Sequence, residues 1–128
     1  GSRFYVALHN GIVVYGTSAD AHIYGVEAKS GRKLWSVKRG APLDGPFPVP
    51  GTGVALFAEE REQGLHGLAI DMKTGRELYS ADGLVYLPSV IGKVAYAPVV
   101  NPDGDGFLLI GMDAITGHTV WTLSRRSN

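Results

Sequence analysis

One short phrase occurs three times in this chain, and its spacing constrains the fold more than any other feature. The copies read GVEAKSGRKLW from residue 25, AIDMKTGRELY from residue 69 and GMDAITGHTVW from residue 111. Each copy has a small residue, an acid, a Ser or Thr, a Gly and a closing aromatic at the same spacing. The central glycines are 44 and 42 residues apart. A period of about 40–45 residues is typical of propeller blades, including those of WD-like repeats.

The shared residues of the phrase predict structural roles rather than catalysis. A Gly in a tight turn can adopt a left-handed backbone, and the Ser or Thr before it can bond to nearby backbone groups. We expect the acid to accept hydrogen bonds from turn amides or from that hydroxyl, and the aromatic to pack between neighbouring sheets. The predicted structural positions are Glu27, Gly31 and Trp35 in the first copy, Asp71, Gly75 and Tyr79 in the second, and Asp113, Gly117 and Trp121 in the third.

The residues around the phrase predict that each repeat unit is a meander of four short strands. In the first unit we expect strands at about Arg3–Leu8, Ile12–Thr17, His22–Ala28 and Lys33–Lys38. Asn10-Gly11 is a strong hairpin signal, because both residues tolerate positive φ. Four prolines between residues 42 and 50 suit an innermost strand or the connection that leads into it. We interpret the segments Gly11–Tyr15, Gly53–Phe57 and Gly92–Tyr96 as corresponding parts of the three units.

These patterns predict an all-β fold of three four-stranded antiparallel propeller-type blades. The blades are expected at about residues 3–40, 41–82 and 83–123, within one module that covers residues 3–128. Gly1-Ser2 is interpreted as a cloning remnant. The chain shows no convincing helical periodicity, and its 18 glycines are about twice the usual share, which favours many tight turns.

The composition excludes several functional classes. The chain has no cysteine, which rules out disulfides and thiol catalysis. Its 12 basic and 12 acidic residues balance, so the charge does not indicate nucleic acid as a partner. No apolar run reaches the roughly 18 residues of a membrane span, and we therefore expect no membrane insertion.

The repeated spacing resembles the tryptophan-docking motif, A-x-D-x-x-T-G-x-x-x-W, of the quinoprotein alcohol dehydrogenase family and its propeller relatives. In the second copy Ala69, Asp71, Thr74 and Gly75 match the motif, and Tyr79 replaces the tryptophan. The third copy departs from it at Gly111 alone, and the first at Gly25, Glu27 and Ser30. The resemblance implies an antiparallel propeller whose aromatics brace adjacent blades. It also implies a periplasmic or extracytoplasmic location.

The same resemblance covers proteins of different chemistry, so it does not determine the function. The family includes dehydrogenases that use pyrroloquinoline quinone (PQQ), a lipoprotein that scaffolds outer-membrane barrel assembly, and sensor domains of membrane kinases. The dehydrogenases hold the quinone with a ring of residues, often beside adjacent disulfide-bonded cysteines, and with calcium. No cysteine, calcium-ligand set or catalytic carboxylate of that kind maps onto this sequence. We predict a non-enzymatic module without a cofactor that binds a protein or ligand on its loop face; the alternative is a fragment of a PQQ-dependent dehydrogenase.

Three further patterns are candidates for binding or chemistry. Asn101, Asp103 and Asp105 have the opening spacing of a calcium loop, but Met112 occupies its closing carboxylate position, which favours a Gly-rich hairpin tip. His22 and His66 occupy equivalent positions in two units, but the third unit supplies no further metal ligand there. The charged run 59–62, Glu-Glu-Arg-Glu, favours a solvated loop.

Three blades raise the question of closure, since propellers close with about four to eight blades. A wedge of three would leave two apolar faces uncovered, and burying them would drive association. The chain could be a piece of a longer propeller, two copies could meet head to tail in a six-bladed ring, or the sheets could stack in a more open way. Among these we favour a homo-oligomer, and the predicted partner is thus another protein or the chain itself.

Overall fold

The chain folds into twelve antiparallel β-strands in the part that the structure describes. The computed structural model describes residues 5–17, 19–62, 64–101, 104 and 106–125; the predicted remnant Gly1-Ser2 lies outside these ranges. No helix long and apolar enough to cross a membrane occurs within them. The strands are β1 Val6–His9, β2 Ile12–Thr17, β3 His22–Glu27, β4 Lys33–Lys38, β5 Leu43–Val49, β6 Val54–Arg61, β7 Gly64–Asp71, β8 Glu77–Leu84, β9 Ser89–Ile91, β10 Val94–Val100, β11 Phe107–Asp113 and β12 Thr119–Arg125.

The strands form three consecutive four-stranded meanders, which we call blades 1, 2 and 3. Blade 1 is a separate sheet in the order β1-β2-β3-β4. Blade 2 comprises β5–β8 and blade 3 comprises β9–β12; their strands join into one sheet because β8 also pairs with β10 at Leu84 and Val99. All these pairings are antiparallel, and the predicted all-β, propeller-type fold is confirmed.

The first turns of blades 1 and 3 both contain a glycine with positive φ, but at different positions in the turn. Asn10 and Gly11 both have positive φ, 48° and 76°, between the paired residues His9 and Ile12. This is the conformation predicted from the Asn-Gly pair. In blade 3 the glycine comes first: Gly92 has φ 60° in the loop between the paired Ile91 and Val94. A glycine at the first of two central residues is the signature of the mirror-image type II′ turn.

The position of Gly92 corrects the alignment of the third unit. The amide of Ala114 donates to the Lys93 carbonyl, as the corresponding amides in blades 1 and 2 donate to Gly11 and Gly53. Lys93, and not Gly92, therefore corresponds to Gly11 and Gly53. The proposed match of Gly92–Tyr96 to the other two segments is wrong by one residue, because a type II′ turn moves the glycine without moving the ladder.

A β-bulge recurs at one place in all three blades. The register between the third and fourth strands shifts after Gly25, after Ala69 and after Gly111. Each of these residues pairs with the closing aromatic of its own blade, namely Trp35, Tyr79 and Trp121. A bulge adds one residue to a strand and re-aims the side chains beside it.

The apolar core lies in two layers between the blades. The layer between blades 1 and 2 contains Ala7, Val14, Ile23, Leu43, Ala55, Phe57, Leu68, Ile70 and Met72, with Ile12 and Trp35 at its margin. The layer between blades 2 and 3 contains Val49, Val54, Leu56, Ala69, Ala95, Met112 and Ala114, with Phe47, Tyr79, Val90 and Ile110 beside it. Blade 2 is therefore covered on both faces, and blades 1 and 3 are each covered on one.

The proline-rich segment forms β5, the edge strand of its sheet at the inner end of blade 2. Its ladder with β6 is interrupted between Asp44 and Phe47, around Pro46. A proline has no amide hydrogen to donate to a neighbouring strand. An edge strand has a neighbour on one side only and therefore tolerates proline better than a central strand. The sequence predicted an innermost strand or the connection that leads into it, and the structure shows a strand at the sheet edge.

Candidate functional site

The repeated phrase builds the same hydrogen-bonded turn in each blade, here called the docking turn (residues 27–31, 71–75 and 113–117). The amide of the turn glycine donates to the carbonyl of the acid at 2.8 Å in all three copies. The three glycines, Gly31, Gly75 and Gly117, have φ of 75°, 79° and 79°. Only glycine adopts this backbone without steric cost, so the turn geometry depends on it.

The acids satisfy the turn in two different ways. Asp71 accepts the Lys73 amide at 2.8 Å, and Asp113 accepts the Ile115 amide at 2.9 Å. Glu27, which is longer by one methylene, instead accepts the Ser30 hydroxyl at 2.6 Å. These hydrogen bonds to the charged form lower the pKa of Asp113 and the pKa of Glu27 below their usual values.

Two closing aromatics dock on the turn of the following blade. The Trp35 indole Nε1–H donates to the Met72 carbonyl at 3.0 Å, and the ring lies so close to Gly75 that a Cβ there would overlap it. The Tyr79 hydroxyl donates to the Ala114 carbonyl at 2.6 Å, and a Cβ on Gly117 would be 2.5 Å from its ring. Burial raises the pKa of Tyr79 to about 12.

The third aromatic is in a different environment. Trp121 lies over Gly111 of its own blade and makes a tilted contact with Tyr96 at a centroid distance of 5.6 Å. It is 40% exposed. Trp35 and Tyr79 are less exposed because each is covered by the next blade.

A second group of residues forms a charged rim around the β6–β7 hairpin of blade 2. Its members are Arg39, Asp44, Glu59, Glu60, Arg61, Glu62, His66 and Asp82. They include five carboxylates and two guanidinium groups, so the rim is acidic. Seven of the eight lie on β5–β8 or on the connection that leads into β5, and Glu62 lies in the turn between β6 and β7.

Glu59 anchors the rim as a buried charge. Its side chain is 1% exposed, and its Oε1 contacts the Arg39 guanidinium at 2.5 Å and the Arg61 guanidinium at 3.3 Å. A buried carboxylate of this kind requires a cation close by, because the interior solvates it poorly. The interpretation of residues 59–62 as a solvated loop is therefore wrong on two points: Glu59 is buried, and β6 extends to Arg61, which pairs with Gly64. Glu60 and Arg61 are exposed, as predicted. Glu62, beyond the strand, is exposed.

Two further pairs complete the rim. His66 Nδ1 contacts the Asp82 carboxylate at 2.5 Å; the His66 side chain is 11% exposed and that of Asp82 is 85% exposed. Glu60 lies beside Asp44, and this second negative charge raises the pKa of Glu60. The rim therefore presents several carboxylates and the exposed Arg61 guanidinium to solvent, while Arg39 is held beneath them by Glu59.

Two open clefts adjoin the rim and share Arg61 and Glu62 as a ridge. One, about 680 Å³, is lined by Arg61, Glu62, Gly64, Leu65, His66, Asp82 and Gly83. The other, about 470 Å³, is lined by residues 40–42 and 59–62. A third cleft, about 450 Å³, lies at the opposite ends of the strands between blades 1 and 2, where His9, Thr52 and Lys73 meet.

The structure gives His22 and His66, which occupy equivalent positions in two units, separate partners. His22 stacks on Tyr24 and its Nδ1 is 2.8 Å from the Asp20 carbonyl oxygen, whereas His66 pairs with Asp82. Asn101 is buried and its carbonyl accepts the Gly104 amide, but Asp103 and Asp105 lie outside the described residues. The favoured Gly-rich hairpin tip and the weaker calcium-loop candidate therefore both stay predictions. Among the described residues no group of three or more His, Asp or Glu side chains could hold a metal ion.

Taken together, stacked four-stranded meanders and aromatic-on-turn docking define a propeller-type repeat protein. Residues 6–128 match the family model of the outer membrane protein assembly factor BamB. The chain therefore belongs to this family of PQQ-like repeat propellers, and the family resemblance seen in the repeat is confirmed. A search of the curated proteins returns no significant match.

Three solved structures share the fold at 17% sequence identity. BamB from Moraxella catarrhalis superposes with a TM-score of 0.60 over 94% of this chain and 35% of its own. The computationally designed Ika4 protein superposes with a TM-score of 0.65 over 99% of this chain and 73% of its own. The quinohemoprotein alcohol dehydrogenase from Comamonas testosteroni superposes with a TM-score of 0.54 over 92% of this chain and 20% of its own. This chain thus spans about a third of the Moraxella protein and a fifth of the dehydrogenase.

Proposed function

We propose that this chain is a non-catalytic, protein-binding module whose binding surface is the charged rim of blade 2. The observation that carries the proposal is the buried Glu59–Arg39 pair beneath exposed acids. It fixes the end of β6, so Glu60, Glu62 and Asp82 project from a rigid base beside two clefts. Rigid scaffolds that present polar groups next to clefts suit recognition.

The chemistry of the rim favours a basic partner. Exposed carboxylates attract Lys and Arg side chains, and the adjoining clefts can receive apolar side chains between them. Membership of a family named for an outer membrane protein assembly factor supports a protein rather than a small molecule as the partner. The expected ligand is therefore an extended or flexible segment with alternating basic and apolar residues.

The proposal is tested with a labelled peptide of alternating Lys and Leu as the probe. We expect saturable binding that weakens as salt is raised, because exposed charges are screened. The double variant Glu60→Gln/Glu62→Gln should weaken binding several-fold. A double variant Thr119→Lys/Thr122→Lys on β12 adds the same net charge away from the rim and serves as the control. Equal weakening by both variants, or none by either, would contradict the proposed surface.

A dehydrogenase fragment is the alternative function, supported by the structural likeness to the quinohemoprotein alcohol dehydrogenase. The donor chemistry of this chain does not fit the quinone, since there is no cysteine and, in the described ranges, no cluster of metal-binding side chains. Adding PQQ and calcium should therefore cause no absorbance change and no dye-linked alcohol oxidation. Robust micromolar binding of the quinone would favour the dehydrogenase.

Self-association is part of the same proposal, with a second copy of the chain as one protein partner. Blades 1 and 3 each carry exposed apolar side chains, among them Val6, Leu8, Val100 and Leu123 at 51–65% exposure. Apolar faces of this kind are typical of interaction surfaces.

A further inference from the structure

We propose that Trp121 of one copy docks on turn 27–31 of a second copy, its indole N–H donating to the Ala28 carbonyl and its ring covering Gly31. The inference rests on the self-association just proposed and specifies the contact that produces it. The chain already makes two docking contacts of this kind within itself.

The two internal contacts serve as templates because they are the same in every part. In each, the aromatic donates to the carbonyl of the residue after the turn acid, which is Met72 in one case and Ala114 in the other. In each, the ring covers the turn glycine so closely that no Cβ fits there. An indole and a phenol both meet these conditions, so the contact tolerates either ring.

The third aromatic and the remaining turn are complementary and accessible. Trp121 has the same ladder position as Trp35, opposite a glycine at the recurring bulge. Turn 27–31 has the three backbone hydrogen bonds that are common to all the docking turns. Ala28 and Gly31 are exposed, and a Cβ on Gly31 would meet nothing within 4 Å. By contrast, Met72 and Ala114 are 2% and 0% exposed.

The surfaces around the contact also correspond. On blade 2 the face that receives Trp35 is formed by Ala55, Phe57, Leu68 and Ile70, which are at most 1% exposed. The ladder register equates them with Val13, Tyr15, Tyr24 and Val26 of blade 1, which are only half-buried. Tyr15 and Tyr24 stack at a centroid distance of 5.3 Å on this face, and the Lys33 ammonium lies over the Tyr24 ring. A blade could therefore pack on blade 1 as blade 1 packs on blade 2.

The contact joins unlike surfaces, so it is head to tail, and such contacts form either closed rings or open filaments. Two copies of three blades contain six blades, which is within the four to eight of closed propellers. A two-copy ring uses both Trp121 side chains and both copies of turn 27–31. We therefore assign the assembly as a closed dimer with two equivalent contacts.

The test compares two glycine substitutions in the 128-residue chain by sedimentation across a wide concentration range. Gly31→Ala and Gly51→Ala have closely matched costs in the isolated chain, because φ is 75° and 73° and neither Cβ meets an atom within 4 Å. Only Gly31→Ala would clash with an incoming indole. We expect the wild type and Gly51→Ala to sediment at twice 13.6 kDa, and Gly31→Ala and Trp121→Ala to dissociate at least about tenfold more readily. Circular dichroism checks that each variant is folded.

The outcomes separate the contact from the wider proposal. A wild type that stays monomeric at every concentration overturns both self-association and this contact, while the peptide test of the charged rim stands apart. A dimer that Gly31→Ala leaves intact overturns the contact alone. Species that grow beyond the dimer with concentration contradict the closed ring.

Discussion

At the level of single residues, the size of each docking aromatic matches the size of the residue it covers. The tryptophans, Trp35 and Trp121, lie over Gly25 and Gly111, where any Cβ would overlap the indole. The smaller ring of Tyr79 pairs with Ala69 instead. Two positions of the A-x-D-x-x-T-G-x-x-x-W pattern therefore vary together in this chain. Glycine occupies the first position where the last is tryptophan, and alanine occupies it where the last is tyrosine.

This matching predicts the effect of paired substitutions in blade 1. Gly25→Ala should destabilise the fold by about 1–3 kcal/mol, because overpacking displaces the indole from its position. The double variant Gly25→Ala/Trp35→Tyr should recover part of that loss, since it copies the pair found in blade 2. Urea unfolding of the wild type, both single variants and the double variant measures the coupling. Strictly additive effects would show that the two positions do not sense each other.

The hydroxyl of Tyr79 makes a separate contribution through the Ala114 carbonyl. Tyr79→Phe should cost about 1–2 kcal/mol, because it leaves a buried carbonyl without its donor. Tyr86→Phe is the matched control, since Tyr86 is 69% exposed. Thermal unfolding of the two variants provides the comparison, and equal melting temperatures would argue that water replaces the lost phenol. In a spectroscopic titration, Tyr79→Phe should also remove the tyrosine that ionises at about pH 12.

At the level of elements, the end of β6 depends on an ion pair that crosses between strands. Arg39 follows β4, whereas Glu59 lies within β6, and the Nε of Arg39 is itself buried without a hydrogen-bond partner in the structure. The pair therefore ties the connection after blade 1 to the middle of blade 2. The Arg39–Glu59 pair therefore has a structural role: it holds the end of β6 in place beneath the rim.

The two arginines around Glu59 should contribute unequally. Glu59→Ala should destabilise by about 3 kcal/mol, because the largely buried Arg39 guanidinium loses its closest carboxylate and keeps only the longer contact to Glu77, at 3.4 Å. Arg61→Ala should cost less than about 1 kcal/mol, since Arg61 is 46% exposed and Glu59 keeps its closer partner, Arg39, at 2.5 Å. Chemical denaturation of both variants makes the comparison, and a larger loss for Arg61→Ala would reverse the assignment.

At the level of the whole molecule, the docking turns predict how stability depends on pH. Hydrogen bonds lower the pKa of Asp113 and the pKa of Glu27. A depressed folded pKa means that the unfolded chain binds protons more readily, so this stability is present above about pH 4 and is lost as the pH falls through the folded values. The denaturation midpoint should thus decrease on acidification from neutral pH to below about pH 4. Asp113→Asn should make the denaturation midpoint depend less steeply on pH in this range.

The pKa of Glu60 is shifted upward, opposite to the shifts of Glu27 and Asp113, so Glu60 provides an internal comparison. Its pKa is raised by Asp44, so its contribution is full below the unfolded pKa and is lost as the pH rises through the folded value. Glu60→Gln should therefore stabilise the protein at neutral pH more than at acid pH. The same denaturation series measures it.

The sequence predicted the parts of this structure that depend on local chemistry. The period of the phrase, Asn10-Gly11 and the prolines near residue 46 each act within a few residues, and the turns and the edge strand follow from them. The shift at Gly92 was missed because two turn types place glycine differently while keeping the same ladder. The burial of Glu59 was missed because its partner, Arg39, is 20 residues away and reaches it only in the folded chain.

The two tryptophans have different surroundings, so their intrinsic fluorescence can report on the two ends of the chain separately. The indole of Trp35 is hydrogen-bonded and packed, so its emission is expected at shorter wavelength and shielded from soluble quenchers. Trp121 is open to solvent on the third blade, so its emission is expected at longer wavelength and readily quenched. Any molecule that settles on that blade would alter one component of the spectrum and leave the other as a reference, without a label being attached.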